Sequence, residues 1–193
     1  MNPVGVKRLQ RELAKMMKNP DPMFAAMPHE DDLTRWYFVI RGPEGTVYEG
    51  GIYMGIIFMD NNYPFKAPDI QMITPNGRLW VGKNICFNGF TAFHAESWGA
   101  GWTVRSMVLG VQSFMFDEKN PRTYGCVYES KSKRKKLAKE SHTFNSKQDV
   151  YNAYFSTFKD SIKDDDDDTP PEKKRRVEED DDDDDESDKK RRC

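Results

Sequence analysis

Apolar side chains at three- and four-residue spacing open the chain. Between residues 5 and 18, Val6, Leu9, Leu13 and Met16/Met17 recur at helical intervals while Lys7, Arg8, Arg11 and Lys15 fall elsewhere, so an amphipathic helix is expected. Asn19-Pro20-Asp21-Pro22 ends it, because proline lacks the amide that a continuing helix needs. The period then shortens to two. Residues 34–41 read as a strand with Trp36, Phe38 and Ile40 on one face, and Gly42-Pro43-Glu44-Gly45 carries turn chemistry. Residues 48–59 resume as a strand, residues 69–73 form a short one, and residues 23–27 are a candidate edge strand ahead of them. The sum is an α+β arrangement, a four-stranded antiparallel meander with a helix on one face.

Between residues 74 and 101 no period survives. A long irregular segment inside a compact domain signals function or disorder. Here Trp80, Phe87, Phe90, Phe93 and Trp98 argue that it is packed down. Helical spacing returns after Thr103, which suits an N-cap, with Val104, Met107, Val108, Val111, Phe114 and Met115 forming a central helix. Two C-terminal helices follow at residues 132–145 and 147–158, the first mostly basic on its outside. No internal repeat is present.

Charge divides the chain. Residues 164–193 hold 16 of the 32 acidic and 8 of the 30 basic side chains, which leaves residues 1–163 with 22 basic against 16 acidic. The reading is a mildly basic globular domain at 1–163 and a disordered acidic tail at 164–193, whose Asp164–Asp168 and Asp180–Asp185 runs repel themselves. Short basic clusters, Lys173-Lys174-Arg175-Arg176 and Lys189-Lys190-Arg191-Arg192, interrupt it and resemble nuclear-import signals, so nucleus and/or cytoplasm is the expected location. Neither a signal-peptide pattern nor an apolar run of the ~18–20 residues needed to span a bilayer is seen, so no membrane anchor is expected. Cys86, Cys126 and Cys193 are too widely spaced for a disulfide framework or a CxxC metal pair. No metal, cofactor or direct nucleic-acid partner is called for. Any one of these thiols could simply be a small buried hydrophobe.

An ordered set of motifs singles out Cys86. Val6-Lys7-Arg8-Leu9-Gln10-Arg11-Glu12-Leu13, Trp36, Gly42-Pro43, Tyr48-Glu49-Gly50-Gly51, Tyr63-Pro64-Phe65-Lys66-Ala67-Pro68, Pro75-Asn76, Cys86 and Trp98 succeed one another before the central helix. Over roughly residues 4–160 this order resembles the ubiquitin-conjugating enzyme family. The strings Met72-Ile73-Thr74-Pro75-Asn76-Gly77-Arg78 and Phe93-His94-Ala95-Glu96-Ser97-Trp98-Gly99-Ala100-Gly101-Trp102 are most similar to that family's tail-anchored endoplasmic-reticulum branch, whose anchor this chain is expected to lack. Ala95 and Ala100 stand where that branch has prolines.

The resemblance implies the ubiquitin-conjugating fold and an enzyme that accepts ubiquitin from the activating enzyme as a thioester on Cys86. It then passes ubiquitin to a lysine of a protein substrate, or to Ser/Thr, with a ubiquitin ligase. Cys126 is the competing thiol but matches no family motif. Asn76, in Thr74-Pro75-Asn76 where the family carries His-Pro-Asn, is implied as an oxyanion donor or a brace; otherwise Asn76-Gly77 merely turns the chain. Asp117, with Glu118, is implied as the acid that eases deprotonation of an incoming amine, and a solvated helix end is the alternative. His94 would serve a hydroxyl nucleophile, or be an ordinary loop histidine. Lys7 and Arg8 correspond to the contact with the activating enzyme, Phe65 and Ala100 to the ligase-binding patch. The alternative is a catalytically inactive family variant that binds ubiquitin or nuclear proteins, but such variants lack the acceptor cysteine.

Overall fold

A computed structural model describes residues 1–87, 89–117 and 124–159, with Lys159 described by its backbone alone. The tail, its basic clusters, Cys193 and Glu118 lie outside the described residues. Helix α1 (Pro3–Lys18) starts two residues earlier than its apolar period implies, because the Asn2 side chain caps it by accepting the Gly5 amide and Pro3 fits the first turn. Four strands follow: β1 (Phe24–His29), β2 (Asp32–Arg41), β3 (Ile52–Phe58) and β4 (Asp69–Met72). They form one antiparallel sheet in the order β1-β2-β3-β4, the expected meander. Helix α2 (Val104–Phe116), helix α3 (Lys131–Asn145) and the short helix α4 (Asp149–Tyr154) complete the α+β fold. Thr103 caps α2 in a reciprocal box with Ser106.

Three expectations need correction. The strand expected over residues 48–59 begins only at Ile52, because residues 42–51 form a loop closed by the Gly42 amide on the Gly51 carbonyl, with Gly50 at a φ of +72°. Tyr48 is fully buried within that loop, so its apolar character reports packing rather than extension. The helix expected over residues 147–158 breaks after Tyr154 into a 3-10 turn, Ser156–Lys159. The sheet is also covered on both faces, not one. Trp36, Phe38, Ile40, Tyr53 and Ile57 pack with Leu9 of α1 and Met107, Val108 and Val111 of α2. The opposite face presents Val39, Ile52 and Met54, which Tyr151, Phe155 and Phe158 cover. The unbroken apolar run of β3 follows from this double burial.

Candidate active site

The irregular segment after β4 is built by local side-chain caps. Asn76 is 1% exposed, and its Oδ1 accepts the amides of Arg78 (2.9 Å) and Leu79 (2.7 Å) while its Nδ2 donates to the Thr74 carbonyl (3.1 Å). An asparagine closing its own turn in this way fixes the chain direction. Gly77 follows at a φ of +75°. The chain then runs antiparallel to residues 124–129: the Trp80 amide donates to the Gly125 carbonyl (2.7 Å), Leu79 pairs with Cys126, and Val127 and Glu129 donate to Arg78 and Gly77.

Cys86 enters from the other end of that same strip. Its amide donates to the Tyr124 carbonyl (2.9 Å), while the preceding Ile85 amide donates to Ile70 of β4 (3.0 Å). Ile85 and Phe87, 0% and 1% exposed, pack into the core on either side of it. Cys86 is a free thiol. It is not the open sulfur that its proposed chemistry suggests: it retains 5% exposure, and Cys126 is the more accessible of the two described cysteines. Anchoring both flanking side chains in the core is what draws Cys86 in.

Aromatic side chains sit on the strip that holds it. Tyr124 meets Trp80 edge-on (centroids 5.3 Å apart) and Phe93 at a tilt (5.0 Å), and the Lys83 ammonium lies 4.7 Å from the Trp80 ring centroid. Phe93 and Tyr124 both stay open to solvent, at 43% and 58% exposure. Phe93 belongs to a 3-10 segment, Ala92–Ser97, broken by non-helical dihedrals at His94. His94 Nδ1 lies 3.1 Å from Glu96 Oε1, and backbone hydrogen bonding followed by this imidazole holds the Glu96 carboxyl below its ordinary range. The segment bearing His94 therefore touches the strip that fixes Cys86. Asp117, at the C-cap of α2, is exposed and donates its amide to Ser113 (3.1 Å).

Phe65 is 68% exposed and shares a groove of about 560 Å³ with Val4, Lys7, Arg8, Arg11 and Lys15. Lys7 faces solvent there, but Arg8 is committed internally. It donates to Glu12 (2.7 Å), to the Trp102 carbonyl (2.6 Å) and to the carbonyl of the exposed Ala100, and its guanidinium lies 5.3 Å from the Tyr63 ring centroid. Glu12 in turn accepts the Val104 amide at the start of α2 (2.7 Å) and the Tyr63 hydroxyl (3.3 Å). Burial, then the Glu12 charge, push the Tyr63 phenol far above its usual pKa. Because this cluster ties α1, the Tyr63-Pro64-Phe65 loop and the Trp98–Trp102 loop together, Arg8 is first a brace.

Two internal polar arrangements are not foreseen from the sequence. One is the Arg8–Glu12–Tyr63 cluster, whose signal was a glutamate inside the apolar stripe of α1. The other is Asn145, which with Ala138 and Ser141 forms the buried edge of α3. Small polar residues at core-facing spacing were its only signal.

A sequence model described as "Ubiquitin-conjugating enzyme" matches residues 8–149, and the chain belongs to that family. It is 40% identical over 153 residues to a probable ubiquitin-conjugating enzyme E2 33 of Arabidopsis thaliana, covering 79% of this chain and 62% of that one. It is 38% identical over 159 residues to the human ubiquitin-conjugating enzyme E2 J2, covering 82% and 60%. The chain thus spans about 60% of the length of these curated relatives. Among solved structures it is similar to human ubiquitin-conjugating enzyme E2 G1, with a TM-score of 0.53 and 30% identity over 60% of this chain and 97% of that one. Among the described residues no helix is long and apolar enough to cross a membrane.

Proposed function

We propose that this chain carries ubiquitin on Cys86 and hands it to a protein amine or hydroxyl. The observation that carries the reading is a free cysteine held at its backbone amide by Tyr124, on the same strip that pairs with the Asn76 turn, in a chain of this family. The Cys86 thiolate attacks the carbonyl carbon of ubiquitin's thioester on the activating enzyme; a new C–S bond forms and the activating enzyme's thiolate leaves. In the second step an acceptor nitrogen or oxygen attacks that carbonyl. The Cys86 thiolate departs, and the acceptor's proton goes to solvent or a nearby base.

Asn76 serves this site as a brace, since both ends of its carboxamide are engaged in the turn. Asp117 would take the proton of an amine. His94, its Nδ1 facing Glu96, keeps Nε2 for a hydroxyl acceptor. Lys7 would meet the activating enzyme, while Arg8 shapes the loop that presents Ala100 beside Phe65 to a ligase. Residues 1–163 would be the catalytic unit, and the acidic segment 164–193, with its basic clusters, would direct the protein between cytoplasm and nucleus.

Mixing the chain with activating enzyme, Mg-ATP and ubiquitin tests this reading. A non-reducing gel should show an adduct one ubiquitin heavier that thiol reductant removes. No adduct at all would leave only a ubiquitin-binding role.

A further inference from the structure

Thr74 begins the tripeptide that holds Asn76, and it is fully buried. Its hydroxyl is used in both directions: Oγ1 accepts the Met54 amide of β3 (2.9 Å) and donates to Asn145 Oδ1 on α3 (2.5 Å). Asn145, also 0% exposed, donates through Nδ2 to the Ile52 carbonyl (2.8 Å), and the Ile52 amide donates to Ser141 Oγ (3.0 Å). The Thr74 amide donates to the Met54 carbonyl (3.1 Å), so backbone and side chain pin Thr74 to the same residue. A buried polar network with its members satisfied rigidifies what it joins.

We propose that Asn145 is a positioning residue for the Cys86 site, acting on Asn76 through Thr74. The path is continuous. Asn145 and Met54 fix Thr74, whose carbonyl receives Asn76 Nδ2. Asn76 Oδ1 sets the Leu79 amide, Leu79 and Trp80 pair with Cys126 and Gly125, and the Tyr124 carbonyl holds the Cys86 amide. Asn145 reaches the site from 59 positions down the chain, so α3 serves as the rigid member against which the turn is set. Losing the Thr74 hydroxyl takes the partner from both the Met54 amide and Asn145 Oδ1 in a closed interior, and the turn must shift to relieve them. A small displacement of a reacting group is enough to slow transfer.

This inference rests on Cys86 being the acyl carrier, and the test separates the two. The full chain is charged with ubiquitin, the charging reaction is quenched, excess free lysine is added, and loss of thioester is followed per thioester formed. Thr74→Val and Asn145→Ala should each discharge about tenfold more slowly, a fraction of the roughly hundredfold loss that a full ångström of misplacement can cause. Thr74→Ser, which keeps the hydroxyl, should restore the rate. Asn76→Asp keeps the acceptor for Arg78 and Leu79 but loses the donor to Thr74, so adding Asn145→Ala to it should slow discharge no further. Thr74→Val carries the test if Asn145→Ala does not fold. Wild-type discharge in both single variants, or equal slowing by Asn145→Ala with and without Asn76→Asp, would overturn the inference. A wild-type chain that forms no thioester would overturn the Cys86 reading and the inference with it.

Discussion

Gly125 shows how little room the site leaves. It has a φ of +94°, and an added Cβ would lie 3.0 Å from Ile85 Cα, one residue from Cys86. It also sits beside Tyr124, whose carbonyl fixes the Cys86 amide, and its own carbonyl holds Trp80. Alanine there must displace either the 124–129 strip or the Ile85–Phe87 segment. Gly125→Ala is expected to cost roughly 1–3 kcal/mol of stability, as for other non-glycine residues forced into this region. It should slow thioester formation as well. Gly45→Ala is the control: φ is +70° but nothing lies within 4 Å of the new Cβ, so only the strain remains. Thermal unfolding and a charging time course on both variants separate backbone strain from damage to the site.

Among the elements, the short C-terminal pair of α4 and the following 3-10 turn has the largest task for its length. Tyr151, Phe155 and Phe158 close the face of the sheet that carries Val39, Ile52 and Met54. Phe155 is 1% exposed, so Phe155→Ala should cost about 3–5 kcal/mol by opening a cavity, read as a lower denaturant midpoint. The Cys86 amide and the Asn76 turn lie outside that cluster, so thioester formation at low temperature should persist. Much of this architecture was legible beforehand. Helical spacing located α1, α2 and α3, and the Thr103 cap marked the start of α2, because local rules govern those features. The covering of the second face was less visible, since the apolar run Ile52-Tyr53-Met54 announces double burial without naming what supplies it. Residues 74–101 read as irregular and packed down by five aromatics, which holds for Phe87 and Phe90, in part for the half-buried Trp80 and Trp98, and not for Phe93, 43% exposed. What they pack against did not follow, because the strip opposite them lies some forty residues away. Asn145 and Thr74, 71 positions apart, meet only once α3 docks on β3.

For the whole molecule, the division of charge separates a basic body from an acidic segment. Deleting residues 164–193 should leave the rate of thioester formation unchanged and shift the protein's distribution between cytoplasm and nucleus; an unchanged distribution in cells would remove the import role. Any contribution of that segment to partner association should fade with salt over a Debye length of about 8 Å at physiological ionic strength. The central claim, that Cys86 and not the more exposed Cys126 takes ubiquitin, is tested most directly by trapping the acyl group. Cys86→Ser is incubated with activating enzyme, Mg-ATP and ubiquitin, then treated with reductant, digested and mapped by mass spectrometry. A reductant-resistant oxyester on residue 86, with Cys86→Ala giving no adduct and Cys126→Ala charging as wild type, is the expected result. An adduct that survives Cys86→Ala and disappears in Cys126→Ala would contradict it.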